Sequence, residues 1–202
     1  MDTMTKHPVM LYTEQTPNPE TLKYVLNVKL LDGLADFRNR EAAEEWSPFA
    51  TSLFDLPYVK GVYINNNYVT ITKEFNFPWE DIMLRLKEFI KSYAESGKEI
   101  IKDGYHEAIE KQGEESVDIE YSEEDATLVK KIKELIDKYV KPAVEMDGGN
   151  IEFKSFKAGT VAVILQGACS GCPSSSVTLK SGIEGMLKRM VPEVKEVVAE
   201  MG

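Results

Sequence analysis

Asp147-Gly148-Gly149-Asn150-Ile151-Glu152-Phe153-Lys154-Ser155-Phe156 opens the stretch that decides the fold, and Gly167-Ala168-Cys169-Ser170-Gly171-Cys172-Pro173-Ser174-Ser175-Ser176 closes it. Between them, Lys157-Ala158-Gly159 is a turn and Thr160 to Gln166 a returning strand, so residues 147–166 predict a β-hairpin. Beyond the cysteines, Val177, Leu179, Ile183, Met186, Leu187 and Met190 recur at helical spacing, with Ser174 or Ser175 as the cap. Met186, Leu187 and Met190 read as core. After Pro192, Val194 to Ala199 alternates as a last strand. Upstream, Ser122 with Glu123-Glu124-Asp125 is a helix start, and Leu128, Val129, Ile132, Leu135, Ile136, Tyr139 and Val140 give one apolar stripe. Pro142 is expected to bend or close that helix. The order helix–strand–strand–CxxC–helix–strand predicts an α+β domain.

The first half reads as a second α+β domain. Val9 to Tyr12 is a short strand, Thr16-Pro17-Asn18-Pro19 a rigid loop, and Leu22 to Leu31 another strand or two. A helix covers Glu41 to Trp46. Ser47-Pro48 then pairs an N-cap with proline at the first helical position, opening a helix through Phe49, Leu53 and Phe54. Gly61 to Lys73 is a hairpin around three asparagines, and Pro78 starts a helix carrying Ile82, Leu86, Phe89 and Ile90.

The chain has 202 residues and a net charge of −10, room for about two domains of roughly 100 residues. The charge is uneven. Residues 1–94 hold 10 basic and 13 acidic side chains, residues 95–125 hold 3 and 12, and residues 126–202 hold 11 and 9. Nearly all the excess therefore lies in one acidic connector, and the expected domains are 1–94 and 126–202, joined by a linker at 95–125 that is partly helical or flexible. An acidic chain is not expected to bind nucleic acid or anionic lipid. No run reaches the roughly 18 apolar residues of a membrane helix. Met1 to Met10 carries no apolar run of signal-peptide length and no Arg-rich amphipathic pattern, which leads to the expectation of a cytoplasmic protein.

Chemistry-bearing side chains are few. Two histidines, His7 and His106, fall in segments that read as flexible, and the cysteines are Cys169 and Cys172 alone. No catalytic residues are expected. Two thiolates at CxxC spacing grip a soft metal centre from one short loop. Gly167 and Gly171 let backbone N–H groups turn toward sulfur, and the following helix points its positive end at the thiolates. Neither cysteine is expected to fill the core. Iron–sulfur clusters and tetrahedral zinc both call for four ligands, so the missing donors come from a second chain or an external thiol. A two-fold dimer supplies them with the same patch twice, near solvent. A thiol–disulfide oxidoreductase and a zinc-bridged interaction module remain open alternatives. A hairpin before the cysteines counts against the redox reading, because thioredoxin-like sites need βαβ units.

The run Met146-Asp147-Gly148-Gly149-Asn150-Ile151-Glu152-Phe153, followed by the CxxC segment, resembles the C-terminal domain of NifU, the Nfu domain. Gln15-Thr16-Pro17-Asn18-Pro19, Leu22-Lys23-Tyr24, Ser47-Pro48-Phe49-Ala50, Leu53-Phe54 and Val59-Lys60-Gly61-Val62 resemble the Nfu N-terminal domain. The resemblance covers roughly 170 residues. It implies an iron–sulfur cluster scaffold or carrier, not an enzyme, in which two chains bridge a [4Fe-4S] cluster through Cys169 and Cys172 of each. It also implies a homodimer when loaded, with client apoproteins and assembly machinery as partners, engaged with the help of the N-terminal domain. Family members commonly carry Asp where this chain has Asn150. Asp147, Gly148 and Gly149 read as turn residues rather than ligands.

Overall fold

The computed structural model describes residues 8–115, 121–170 and 173–201. The chain is α+β and divides into two compact units, one built on residues 20–103 together with the first strand, the other on the residues from Gly104 onward together with Thr16–Pro19. No helix among the described residues is long and apolar enough to cross a membrane.

The N-terminal unit is an antiparallel sheet of five strands in the order β1-β2-β5-β4-β3. These are β1 (Leu11–Gln15), β2 (Thr21–Leu26), β3 (Leu34–Phe37), β4 (Val59–Asn65) and β5 (Tyr68–Lys73). Register follows from burial of one apolar face. Leu22, Ile71, Val62 and Phe37 align across four strands, and Tyr24, Val69, Ile64 and Ala35 form the neighbouring row. All eight are buried. Phe49 and Leu53 of α2 (Pro48–Phe54) and Ile82, Leu86 and Ile90 of α3 (Trp79–Ser96) are buried in the same unit. The β4–β5 turn is Asn66-Asn67, with Asn66 at φ +47°, a conformation asparagine tolerates.

Two features of this unit differ from the sequence expectation. The strand read through Leu31 stops at Leu26, because Leu30 and Leu31 donate their N–H groups to the Asn66 carbonyl and curl over the hairpin turn. The edge strand β3 was not anticipated. Four residues are too few for a periodic signal, and pairing with β4 makes them a strand.

Ser47 does what its sequence position suggests, and more. Its N–H closes α1 (Arg40–Trp46) on the Ala43 carbonyl at 2.7 Å, and its Oγ accepts from Ala50 N–H at 2.9 Å to open α2. The same hydroxyl donates to the Ile100 carbonyl at 2.7 Å. Lys102 donates its N–H to the Trp46 carbonyl and its Nζ to the carbonyls of Glu44 and Glu45. The start of the acidic connector is thereby fastened to the end of α1, where a cation also meets the negative end of the helix. Further on, α4 (Tyr105–Glu115) is helical.

The C-terminal unit begins with α5 (Glu123–Leu135), capped by Ser122 Oγ accepting from Asp125 N–H at 3.2 Å. Residues Ile136–Val140 form a π-helical turn before α6 (Lys141–Met146). Pro142 has no N–H to give, and the Lys141 N–H bonds the Ile136 carbonyl five residues back. Pro142 thus widens the helix rather than ending it. The wider turn shifts the apolar stripe: Ile136, Val140 and Val144 stay buried, while Tyr139 is exposed, contrary to its expected place in the stripe.

Strands β6 (Gly149–Lys157) and β7 (Thr160–Gly167) pair antiparallel, and β8 (Glu196–Met201) joins β7 in parallel after α7 (Pro173–Met190). An irregularity between Phe153 and Ser155 changes the phase of β6, so Ile151 and Phe153 before it and Phe156 after it all pack inward. The core joins these to Val129, Ile132 and Leu135 of α5, Val161, Val163 and Leu165 of β7, and Ile183 and Leu187 of α7. Two expectations for α7 are corrected. It starts at Pro173, proline suiting the first helical position, so Ser174 and Ser175 lie inside its first turn rather than capping it. Val177 and Met190 are exposed, because the residues of α7 that reach the core are Ile183 and Leu187, with Leu179 and Met186 at its border.

Candidate functional site

The site is the bend between β7 and α7. Gly167 ends the strand at φ +62°, a left-handed conformation that glycine adopts without strain, and turns the chain back over the hairpin. Ala168 N–H then donates to the Gly148 carbonyl at 3.2 Å. Ser170 donates both its N–H, at 3.1 Å, and its hydroxyl, at 2.9 Å, to the Gly167 carbonyl. Cys169 sits inside this pinned turn.

Cys169 is 8% exposed and belongs to the core cluster of the C-terminal unit. This corrects the expectation, for Cys169, that neither cysteine fills the core. A bend packed against the sheet draws its side chains into the core, which spacing alone does not reveal. Cys172 and Gly171 lie outside the described residues. His7 lies outside them as well. His106 is in α4, its ring 5.2 Å from that of Tyr105, not in an irregular segment. Among the described residues no three His, Cys, Asp or Glu side chains converge on a metal-sized site.

Helix α7 continues for 18 residues beyond the bend. Its first turn holds no acidic side chain and its last turn holds Lys188 and Arg189, so the charge of its side chains leaves the positive N-terminal end available to anionic sulfur. Glu184 fastens this helix to β8. Its carboxyl is held below the ordinary carboxylate range first by the hydrogen bond from Lys188 and then by the Val197 N–H, which it accepts at 3.0 Å.

On the other side of the bend, Gly148 adopts φ +81° and Asp147 N–H closes α6 on the Ala143 carbonyl. Gly149 lies opposite Gly167, and Asn150 opposite Gln166. Asn150 lies in the strand rather than in the turn before it. It is fully buried in β6, and its Nδ2 donates to Gln166 Oε1 at 2.8 Å and Glu152 Oε1 at 3.0 Å. Its place directly after the glycine pair, across from a strand glutamine, was the only signal in the sequence. The strand order carries a second correction. Since β7 and β8 are parallel and joined by α7, the cysteine bend does lie in a βαβ unit, and the hairpin does not count against redox chemistry.

Residues 11–97 match the N-terminal domain of the Nfu/NifU scaffold proteins, and residues 132–198 match the NifU-like domain. The chain belongs to the NifU-like, Nfu-type family. Among its relatives, the "NFU1 iron-sulfur cluster scaffold homolog, mitochondrial" of Drosophila sechellia is 38% identical over 191 residues, 94% of this chain and 64% of the relative. The "NifU-like protein 4, mitochondrial" of Arabidopsis thaliana is 38% identical over 195 residues, 95% of this chain and 66% of the relative. This Nfu-type chain therefore spans slightly less than two thirds of the length of these curated relatives. Their names overturn the expectation of a cytoplasmic protein. That expectation rested on what Met1 to Met10 lacks, and the opening residues of a sequence do not fix where the folded protein works.

Proposed function

We propose that this Nfu-type chain is an iron–sulfur cluster scaffold and carrier, without catalytic turnover. Cys169 and Cys172 of two chains together hold one [4Fe-4S] cluster, and the loaded homodimer hands it to apoproteins. Residues 126–202 form the cluster domain in this reading. Residues 1–94 engage client proteins or assembly machinery, and 95–125 connect the two.

The observation that carries the reading is the bend itself: a cysteine two residues after the left-handed glycine that ends β7 and four residues before the proline that opens α7. The names of the relatives support the cargo, and the donor chemistry fits it, since thiolates are the ordinary ligands of iron–sulfur clusters. The protein's contribution is to hold its sulfurs in register, to favour their anionic form with the positive end of α7, and to supply only two donors. A cluster bridging two copies is released when the copies separate, which suits delivery better than storage.

Anaerobic purification with absorption spectroscopy, native mass spectrometry and iron, sulfide and zinc analysis tests this. The expected result is a brown dimer with about two iron and two sulfide per chain, lost in both Cys169→Ser and Cys172→Ser. A colourless protein with zinc at half an equivalent per chain refutes it in favour of a zinc-bridged module. A metal-free chain that reduces insulin disulfides refutes it in favour of a thiol–disulfide oxidoreductase.

A further inference from the structure

The glycines around the bend do different jobs. Gly148 and Gly167 have positive φ and are needed for their conformation, whereas Gly149 has an ordinary backbone that any residue adopts. What is unusual at 149 is space. A Cβ there would lie 2.6 Å from the Gln166 carbonyl oxygen, 3.0 Å from Cys169 Sγ and 3.2 Å from the Cys169 nitrogen. Ordinary contacts of a Cβ begin at 3.4 Å, so a methyl group would push against both the Gln166 carbonyl and the sulfur, displacing the sulfur by about 0.4 Å, close to the tolerance of roughly 0.5 Å within which ligand constellations must be held.

We propose that Gly149 is a positioning residue for Cys169: the missing side chain on β6 forms the seat on which Sγ rests. Asn150 keeps that seat closed. Its amide reaches both along β6 to Glu152 and across to Gln166, holding β6 and β7 together one residue from Gly149. The role as cargo ligand rests on the function proposed above, but the seat itself is a property of the empty protein and is measured there.

The test uses the full chain carrying Cys172→Ser, so that iodoacetamide reports on Cys169 alone. A thiol 8% exposed is expected to react slowly, and Gly149→Ala to raise the native-state rate about tenfold as the sulfur is displaced. Thermal unfolding is then compared for Gly149→Ala in the presence of Cys169 and of Cys169→Ala. The loss in Tm is expected to be clearly smaller with Cys169→Ala, because the methyl then meets no sulfur. An unchanged alkylation rate overturns the proposal. So does an equal loss in both backgrounds, including failure of both to fold, since the Gln166 carbonyl and not the sulfur would then be what the methyl meets. In the chain with both cysteines, Gly149→Ala is expected to retain less iron after reconstitution, and full retention overturns the positioning role. If the unaltered chain holds no iron and sulfide, the scaffold reading fails by itself, and the alkylation and unfolding results still decide the seat.

Discussion

Replacing the Asn150 side chain by a carboxylate tests the polar clamp next to the cysteine bend. Asn150 is fully buried, and its amide nitrogen gives its two protons to Gln166 Oε1 at 2.8 Å and Glu152 Oε1 at 3.0 Å. The opposite amide orientation would set an oxygen against the Glu152 carboxylate, which accepts only, so Glu152 fixes the assignment. Asn150→Asp removes the hydrogen bond to Glu152, worth about 0.5–1.5 kcal/mol, and keeps the one to Gln166 only if that amide turns so that its Nε2 donates. It also sets a negative charge about 3 Å from that of Glu152, a repulsion of roughly 1.4 kcal/mol in a water-like surrounding and 5.5 kcal/mol at an effective dielectric of 20. Glu152 is exposed, which favours the lower end, so the expected cost at neutral pH is about 2–5 kcal/mol.

The pH dependence has a definite sign. Burial and the Glu152 charge both raise the folded-state pKa of the new carboxyl above its unfolded value. The protonated acid restores a donor, so the variant is at its best below the unfolded value and loses stability as pH rises through the folded one. The gap from the parent chain should therefore widen from acid to neutral pH. Urea unfolding followed by far-UV circular dichroism measures it. Trp46 and Trp79 both lie in the N-terminal unit, so tryptophan fluorescence reports that unit separately. A gap below about 0.5 kcal/mol at pH 7.5, the size of an ordinary surface substitution, or one that is flat with pH, would refute the clamp. The outcome bears on the family too, because Asp is common at this position where the motif resembles other members.

Ser47→Ala should lower the fluorescence-detected stability by about 1–3 kcal/mol, since it removes the cap on Ala50 N–H and leaves the Ile100 carbonyl without its donor; a change confined to circular dichroism would contradict this. Leu187→Ala empties a fully buried position in the C-terminal core and should cost about 2–5 kcal/mol in the circular dichroism transition, with a cost near zero showing that α7 is not packed as described. Glu184→Gln should destabilise at neutral pH, because a carboxylate with a lowered folded-state pKa contributes stability above its unfolded value and loses it as pH falls through the folded one. The difference from the parent chain should close on acidification; one that grows instead would show that the Lys188 and Val197 contacts do not stabilise the charged form.

Local features follow from the amino-acid order alone. Caps at Ser47 and Ser122, the asparagine turn at Asn66, the hairpin around Ala158-Gly159 and the helix after the CxxC are each set by residues within a few positions of one another, and each is present. Family membership was legible for the same reason, since its motifs are contiguous runs. The remaining features depend on contacts between distant segments. The short strand β3 exists through its pairing with β4, and β8 lies parallel to β7 because α7 carries the chain back across the sheet. Pro142 widened a helix that a local rule would bend or close, because packing of Ile136, Val140 and Val144 in the core holds the chain helical on both sides of it. The closeness of Gly149 to Cys169 depends on atoms twenty residues apart in sequence. Periodicity reports which face of an element is apolar, whereas burial of the Cys169 thiol and the space left by a missing Cβ are set only when separate elements meet.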